Sequence, residues 1–182
     1  MRSAPCRTVP FTARSRASRG ARACATPSDA AAALFAADPR PVVLYDGVCG
    51  LCNNAVNLSL DLDDQGVLRY AALQSEVGRL LLRRSGRSAD DISSIVLCTR
   101  AGSYVKSEAV LRIAQLLERG PLPQSLPVLG SLGLLVPPFL RDTVYDLVAD
   151  NRYSVFGKTD ECRLSDGRFE ARFVADSELG AR

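Results

Sequence analysis

The run Val42-Val43-Leu44-Tyr45-Asp46-Gly47-Val48-Cys49-Gly50-Leu51-Cys52 restricts the possible folds of this chain more than any other stretch. Four β-branched, aliphatic and aromatic residues follow the boundary Asp38-Pro39-Arg40-Pro41 and are stopped by Asp46-Gly47, which predicts a short buried strand. From Leu51 onward the apolar residues Leu51, Ala55, Leu58 and Leu62 recur at helical spacing, which predicts a helix over roughly 50–64 with that stripe against a sheet. A strand that turns directly into a helix belongs to an α/β fold. Two cysteines stand at the turn.

The remaining elements continue the alternation. Residues 68–73 read as a second strand, and Ser75 with Glu76 opens a helix carrying Val77, Leu80, Leu81 and Arg84. After a polar turn from Ser85 to Asp91, Ile92 to Thr99 reads as a third strand, joined through Ala101-Gly102-Ser103 to Tyr104-Val105-Lys106 as a hairpin. Ser107 is placed to cap a helix with Val110, Ile113, Ala114 and Leu117 on one face. Acids at Asp61, Asp63 and Asp64 sit where the first helix ends, an unfavourable place for negative charge. The order strand, helix, strand, helix, strand, strand, helix is the thioredoxin-like one. It implies a three-layer α/β fold with a small mixed sheet and right-handed crossovers, its reactive groups where a strand ends and a helix begins.

A CxxC pair at the first turn of a helix brings two sulfurs within bonding distance. It also sets the first of them against free backbone N–H groups and the positive end of the helix dipole, which lowers a thiol pKa from about 8.5 into the range of roughly 3.5–7.5. The expected chemistry is dithiol–disulfide exchange, with Cys49 attacking and Cys52 resolving the mixed disulfide. Asp46 is the third candidate catalytic residue. It could cap the helix, pass protons to a thiol, or simply form the Asp-Gly turn. Cys98, at the end of an apolar strand, reads as a small buried residue, and Cys162 as an exposed one in a polar tail. A zinc site would need Cys98 and Cys162 to join the pair, but they lack the usual two-knuckle spacing, so no metal is expected. Nothing in the body suggests a nucleotide, flavin or haem site, and no cofactor is expected.

The chain has no histidine, which removes imidazole catalysis and every metal site that needs that ligand. Its net charge of +3 comes from one end, since residues 1–37 hold six arginines against the single acid Asp29, and the rest hold 17 basic and 19 acidic groups. A slightly acidic body without tryptophan gives no reason to expect nucleic-acid binding. Residues 1–37 are rich in Arg, Ser and Ala and lack the apolar core of a secretory signal, which predicts a disordered transit peptide, for the chloroplast or alternatively the mitochondrion. Residues 38–120 are the expected core. In residues 121–163, prolines 121, 123, 127, 137 and 138 interrupt an apolar stretch far shorter than the roughly 20 residues a membrane span needs. That stretch is expected to fold over the core. A protein or peripheral-membrane contact through 121–140 is the alternative. A last helix over 141–151 should turn Leu140, Val144, Leu147 and Val148 inward, leaving a polar tail over 164–182 that frays after Gly157 unless Leu164, Phe169 and Phe173 hold it. Arg141-Asp142 reads as a salt-bridged helix start and Lys158 as a solvated terminus; the alternative is that Arg141, Arg152 and Lys158 approach the thiolate side or hold an anionic partner.

Several separated motifs appear in order: Tyr45-Asp46-Gly47-Val48-Cys49-Gly50-Leu51-Cys52-Asn53, Leu73-Gln74-Ser75, Ser107-Glu108-Ala109-Val110-Leu111, Arg141-Asp142-Thr143-Val144-Tyr145, Asn151-Arg152-Tyr153, Phe156-Gly157-Lys158 and Cys162. Together they resemble the DCC family of predicted thiol-disulfide oxidoreductases over about Pro41 to Arg163. The resemblance implies a thioredoxin-like fold, thiol or disulfide partners, and the family's aspartate and two cysteines at Asp46, Cys49 and Cys52. Two departures stand out. Glu108 replaces the usual aspartate of a Ser-Asp-Ala motif, and Asp90-Asp91-Ile92-Ser93 lacks the proline that ordinary thioredoxins carry, in cis, before the third strand.

Overall fold

In the computed structural model, residues 26–117, 125–158 and 169–179 are described. The expectations for residues 1–25, for Leu164 and for Cys162 fall outside them. Helix α1 (Pro27–Ala37) comes first, then β1 (Val42–Tyr45), α2 (Gly50–Leu62), β2 (Arg69–Ala72), α3 (Glu76–Arg84), β3 (Val96–Cys98), β4 (Ser103–Val105) and α4 (Lys106–Leu116). Helices α5 (Ser125–Leu135) and α6 (Pro138–Phe156) follow, with two short 3-10 turns at Glu170–Arg172 and Asp176–Leu179.

The sheet order is β2-β1-β3-β4. Strand β1 pairs parallel with β2 and antiparallel with β3, and β3 pairs antiparallel with β4. This is the small mixed sheet the alternation of elements implies. All four residues of β1 are buried because helices cover both faces of the sheet. Val42 and Leu44 point into one core with Val96, Cys98, Leu73, Val77 and Leu81. Val43 and Tyr45 point into the other with Val56, Leu60, Leu68, Tyr70, Leu97 and Ile113. Each large side chain so buried contributes about 1.5–3 kcal/mol.

The expectation of a disordered leader through residue 37 does not hold for its last part. A capping box between Thr26 and Asp29 starts α1. Ala31, Leu34 and Phe35 then sink into the first core against α3, so α1 is part of the domain.

The tail departs from expectation in the same way. Phe169 and Phe173 pack on the second core, Val174 enters the first, and the Val174 N–H donates to Tyr70 O at 2.9 Å. Arg172 donates to the carboxylate of Asp63, which also accepts from the Val67 and Leu68 N–H groups at 2.9 Å each. The acid that looks misplaced at the end of α2 is therefore a buried anchor. Asp176 accepts from the Val77 N–H at 3.0 Å near the start of α3, and Glu178 lies 3.3 Å from Arg69.

Three helices turn differently from the periodicity reading. In α2 the buried residues are Asn53, Val56, Ser59 and Leu60, while Leu58 is 60% exposed. In α4 they are Ser107, Ala109 and Ile113, and the Ser107 hydroxyl donates to Asp142 rather than capping its own helix. Helix α6 buries no residue fully; Leu140, Val144, Leu147 and Val148, expected to face inward, are exposed. It is held instead by polar contacts to α4 and to the start of β3, with Lys106 Nζ at 2.8 Å from Asp146 and the Tyr145 hydroxyl accepting from the Ile95 N–H at 2.9 Å. Helix α5 packs along α4, where Gly130 and Gly133 let it approach Leu111 closely.

Candidate active site at the start of the second helix

Cys49 is the N-cap of α2, with extended backbone angles and no side-chain capping bond. Its own N–H donates to Asp46 O at 3.2 Å, closing the Asp46–Cys49 turn, and its carbonyl accepts from the Asn53 N–H at 3.0 Å. The Asn53 amide donates to Gly47 O at 3.1 Å and ties the first helical turn to the loop before it. Burial, and then a hydrogen bond between the two sulfurs, push the Cys52 thiol up to about 12. A backbone hydrogen bond from Asp46 acts in the opposite sense. Cys49 itself stands at the positive end of the α2 dipole.

Asp46 is 3% exposed and its carboxylate is fully engaged. Oδ1 accepts from the Val48 N–H at 3.2 Å and from Gln74 Nε2 at 2.7 Å. Oδ2 accepts from the Tyr153 hydroxyl and lies 3.6 Å from an Arg152 nitrogen. The turn-forming role considered for this residue is present, and α6 adds a second one by fastening the loop to itself. Arg152 in turn donates to Ile92 O and Ser93 O at 3.1 and 3.2 Å. Arg152 and Lys158 each place a cation 4.5 Å from the Tyr153 ring centre.

The end of α6 closes over the first cysteine. The Gly50 N–H donates to Gly157 O at 3.3 Å, and Cys49 bridges Lys158. Gly157, at φ 72°, ends the helix in the left-handed region that glycine tolerates. A Cβ on Gly50 would stand 2.3 Å from Phe156 O, so only glycine admits this approach. Under the strap Cys49 is 0% exposed, whereas Cys52 is half-buried.

Cys52 forms part of the wall of a groove of about 290 Å³ that lies over β1 between α2 and α4. Leu51, Ala55, Leu58 and Leu62 line one side, and Val110, Ile113, Ala114 and Leu117 the other. These are the two stripes that periodicity singles out. They face each other across open space because α2 and α4 stand apart, and the smaller set beneath them reaches the sheet.

Cys98 is buried in the core on the opposite face of the sheet, and burial holds its thiol up at about 11. It cannot join the pair. Among the described residues no group of three or more candidate ligands could hold a metal ion. No cis peptide bond occurs among them either; Ile95, just before β3, uses its N–H for Tyr145 and its carbonyl for the Lys106 N–H.

A four-stranded mixed sheet with this order, carrying a dithiol where its first strand enters a helix, defines a thioredoxin-like α/β protein of the CxxC type. The sequence profile of DCC1-like thiol-disulfide oxidoreductases matches residues 43–158, and the chain belongs to that family. It is 48% identical over 131 residues to a chloroplastic DCC family protein of Arabidopsis thaliana, covering 72% of this chain and 73% of the relative. It is 40% identical over 136 residues to the uncharacterized protein YuxK of Bacillus subtilis (strain 168), covering 75% and 95%. No solved structure matches.

Asp46 is held by Gln74 and by Arg152 and Tyr153, which come from two distant segments of the chain. Their signals in the sequence are the motifs Leu73-Gln74-Ser75 and Asn151-Arg152-Tyr153, together with the spacing of Tyr145, Arg152 and Tyr153, which places the three on one face of a helix.

Proposed function

We propose that the protein is a thiol–disulfide oxidoreductase whose Cys49 and Cys52 cycle between dithiol and disulfide while exchanging with a protein or small-molecule thiol. The observation that carries this reading is the placement of Cys49 as the N-cap of α2 with Cys52 three residues on, in the first turn of the same helix. Asp46 is the positioning residue. Held by Gln74, Tyr153 and Arg152, it keeps the loop in the conformation that sets Cys49 at the N-cap of α2. Equilibration in thiol–disulfide buffers from about −300 to −150 mV, followed by mass mapping, tests the reading. A reversible Cys49–Cys52 disulfide is expected, and its absence at every potential would sink the proposal.

The Arg-rich first residues and the chloroplastic relative support a plastid location. A fluorescent fusion of residues 1–37 reads this directly, and mitochondrial or cytosolic fluorescence refutes it. The exposed apolar face of α5 and the start of α6, with Leu129, Leu132, Leu135 and Phe139, favours a second reading as an adaptor. No helix among the described residues is long and apolar enough to cross a membrane. An adaptor would keep its association in a Cys49→Ser variant and lose it on Leu132→Asp with Leu135→Asp.

A further inference from the structure

Resting on the exchange reading above, we propose that Cys52, not Cys49, is the sulfur that bonds to the substrate, and that the substrate is a polypeptide cysteine flanked by large apolar side chains seated in the α2–α4 groove. The helix-start rule assigns the outer role to the first cysteine, but access decides which sulfur a partner can attack. Cys49 is 0% exposed beneath Phe156, Gly157 and Lys158, while Cys52 opens into the groove.

Attack at Cys52 is also the chemically sound direction. In the disulfide form, a substrate thiolate bonds to the Cys52 sulfur and breaks the Cys49–Cys52 bond, and the electron pair leaves on Cys49. Cys49, the N-cap of α2, departs at the positive end of that helix dipole, which makes it the better leaving group. A second substrate thiolate then bonds to the first and expels Cys52. The substrate dithiol is oxidised to a disulfide, the protein disulfide is reduced to two thiols, and the two protons pass from substrate to protein.

The groove restricts what can present that thiol. It extends along α2 from Cys52 to Leu62, about 15 Å at the helical rise per residue. Its lining is hydrocarbon except for Cys52, Ser59 and two tyrosines. The backbone at its Cys52 end is already used, since the Ile95 N–H and carbonyl are bonded to Tyr145 and Lys106. A charged small thiol such as glutathione would lose hydration there and gain no partner. The groove is open along its length, with Leu58 60% and Val110 45% exposed at its rims. A short lipophile would leave those rims wet; an extended peptide with aliphatic or aromatic neighbours covers them. The fit is to several apolar side chains spaced along a chain.

The test uses full-length Cys49→Ser and Cys52→Ser proteins and pyridyl-activated peptides of sequence Leu-Leu-Cys-Leu-Leu and Ser-Ser-Cys-Ser-Ser, with mass mapping of the adduct. The Cys49→Ser protein should be labelled at Cys52 at least tenfold faster by the apolar peptide, and adding Leu58→Asp with Val110→Asp should bring that ratio to about one. Faster labelling of Cys49 in the Cys52→Ser protein, or equal rates for the two peptides, overturns the proposal. So does oxidised wild-type protein reacting faster with 1-butanethiol, an uncharged aliphatic monothiol, than with the reduced apolar peptide. The wild-type redox titration described above runs alongside. If the pair never forms a disulfide, the exchange reading itself has failed, whereas a reversible disulfide with no peptide preference condemns only the groove.

Discussion

Replacing Gly50 with alanine probes the strap with one methyl group. The new Cβ would meet Phe156 O at 2.3 Å, Phe156 C at 3.4 Å and Gly157 O at 3.5 Å. These are backbone atoms, so no rotamer change relieves the clash, and the end of α6 must lift. Overpacking of this kind costs about 1–3 kcal/mol, while alanine at the helix start regains about 0.5–1 kcal/mol over glycine. The global penalty is therefore small, but nearly all the strain falls on the contact that covers Cys49. Lowering the cost of opening the strap by about 1.4 kcal/mol raises the open population tenfold while it remains minor. Alkylation of each cysteine by iodoacetamide, followed by mass mapping, reads this population. Labelling of Cys49 should rise about 5- to 100-fold in Gly50→Ala, with labelling of Cys98, buried on the far side of the sheet, unchanged. The urea midpoint should move little. Unchanged Cys49 labelling in a protein of unchanged stability would refute the claim that the strap limits access.

Tyr153→Phe removes a donor from the buried Asp46 carboxylate and should cost about 1.5–3 kcal/mol in urea unfolding; a loss below about 0.5 kcal/mol means that the carboxylate is satisfied without it. Arg172→Met leaves Asp63 buried without its cation, and a loss of about 3–5 kcal/mol is expected, with proteolysis after residue 168 accelerating as the tail undocks. Because burial and the bond to Cys49 hold the Cys52 thiol at about 12, its alkylation by a small reagent should climb about tenfold per pH unit from pH 7 to pH 10. A plateau near pH 9 contradicts that assignment.

The layers of the fold were legible in the sequence because short apolar runs alternated with helical stripes and Asp-Gly or polar breaks. The stripes on α2 and α4 misled for a specific reason. Periodicity reports an apolar face but not what it faces, and Leu51, Ala55, Leu58, Leu62 and Val110 border open space rather than a neighbour. The same limit applies to α6, whose leucines and valines point outward while its tyrosines and charged residues make the internal contacts. At the site, the cysteines and Asp46 are adjacent in sequence and could be read together. Gln74 and Tyr153 reach Asp46 across 28 and 107 residues, and no local pattern encodes such distances. The docking of α1 and of residues 169–179 was hidden by composition. Arg172, Asp176 and Glu178 look like solvated charges, yet each finds a partner on the folded body.

Helix α1 places a downstream limit on any maturation of this polypeptide. A processing protease acting before Thr26 leaves the capping box whole, whereas a cut only ten residues further on would remove Ala31, Leu34 and Phe35 together. Truncating a buried phenylalanine alone typically costs about 3–5 kcal/mol, a large share of the stability of a domain this size. Were an import signal removed from this chain, the folded body could spare only what lies ahead of its hydrophobic interior.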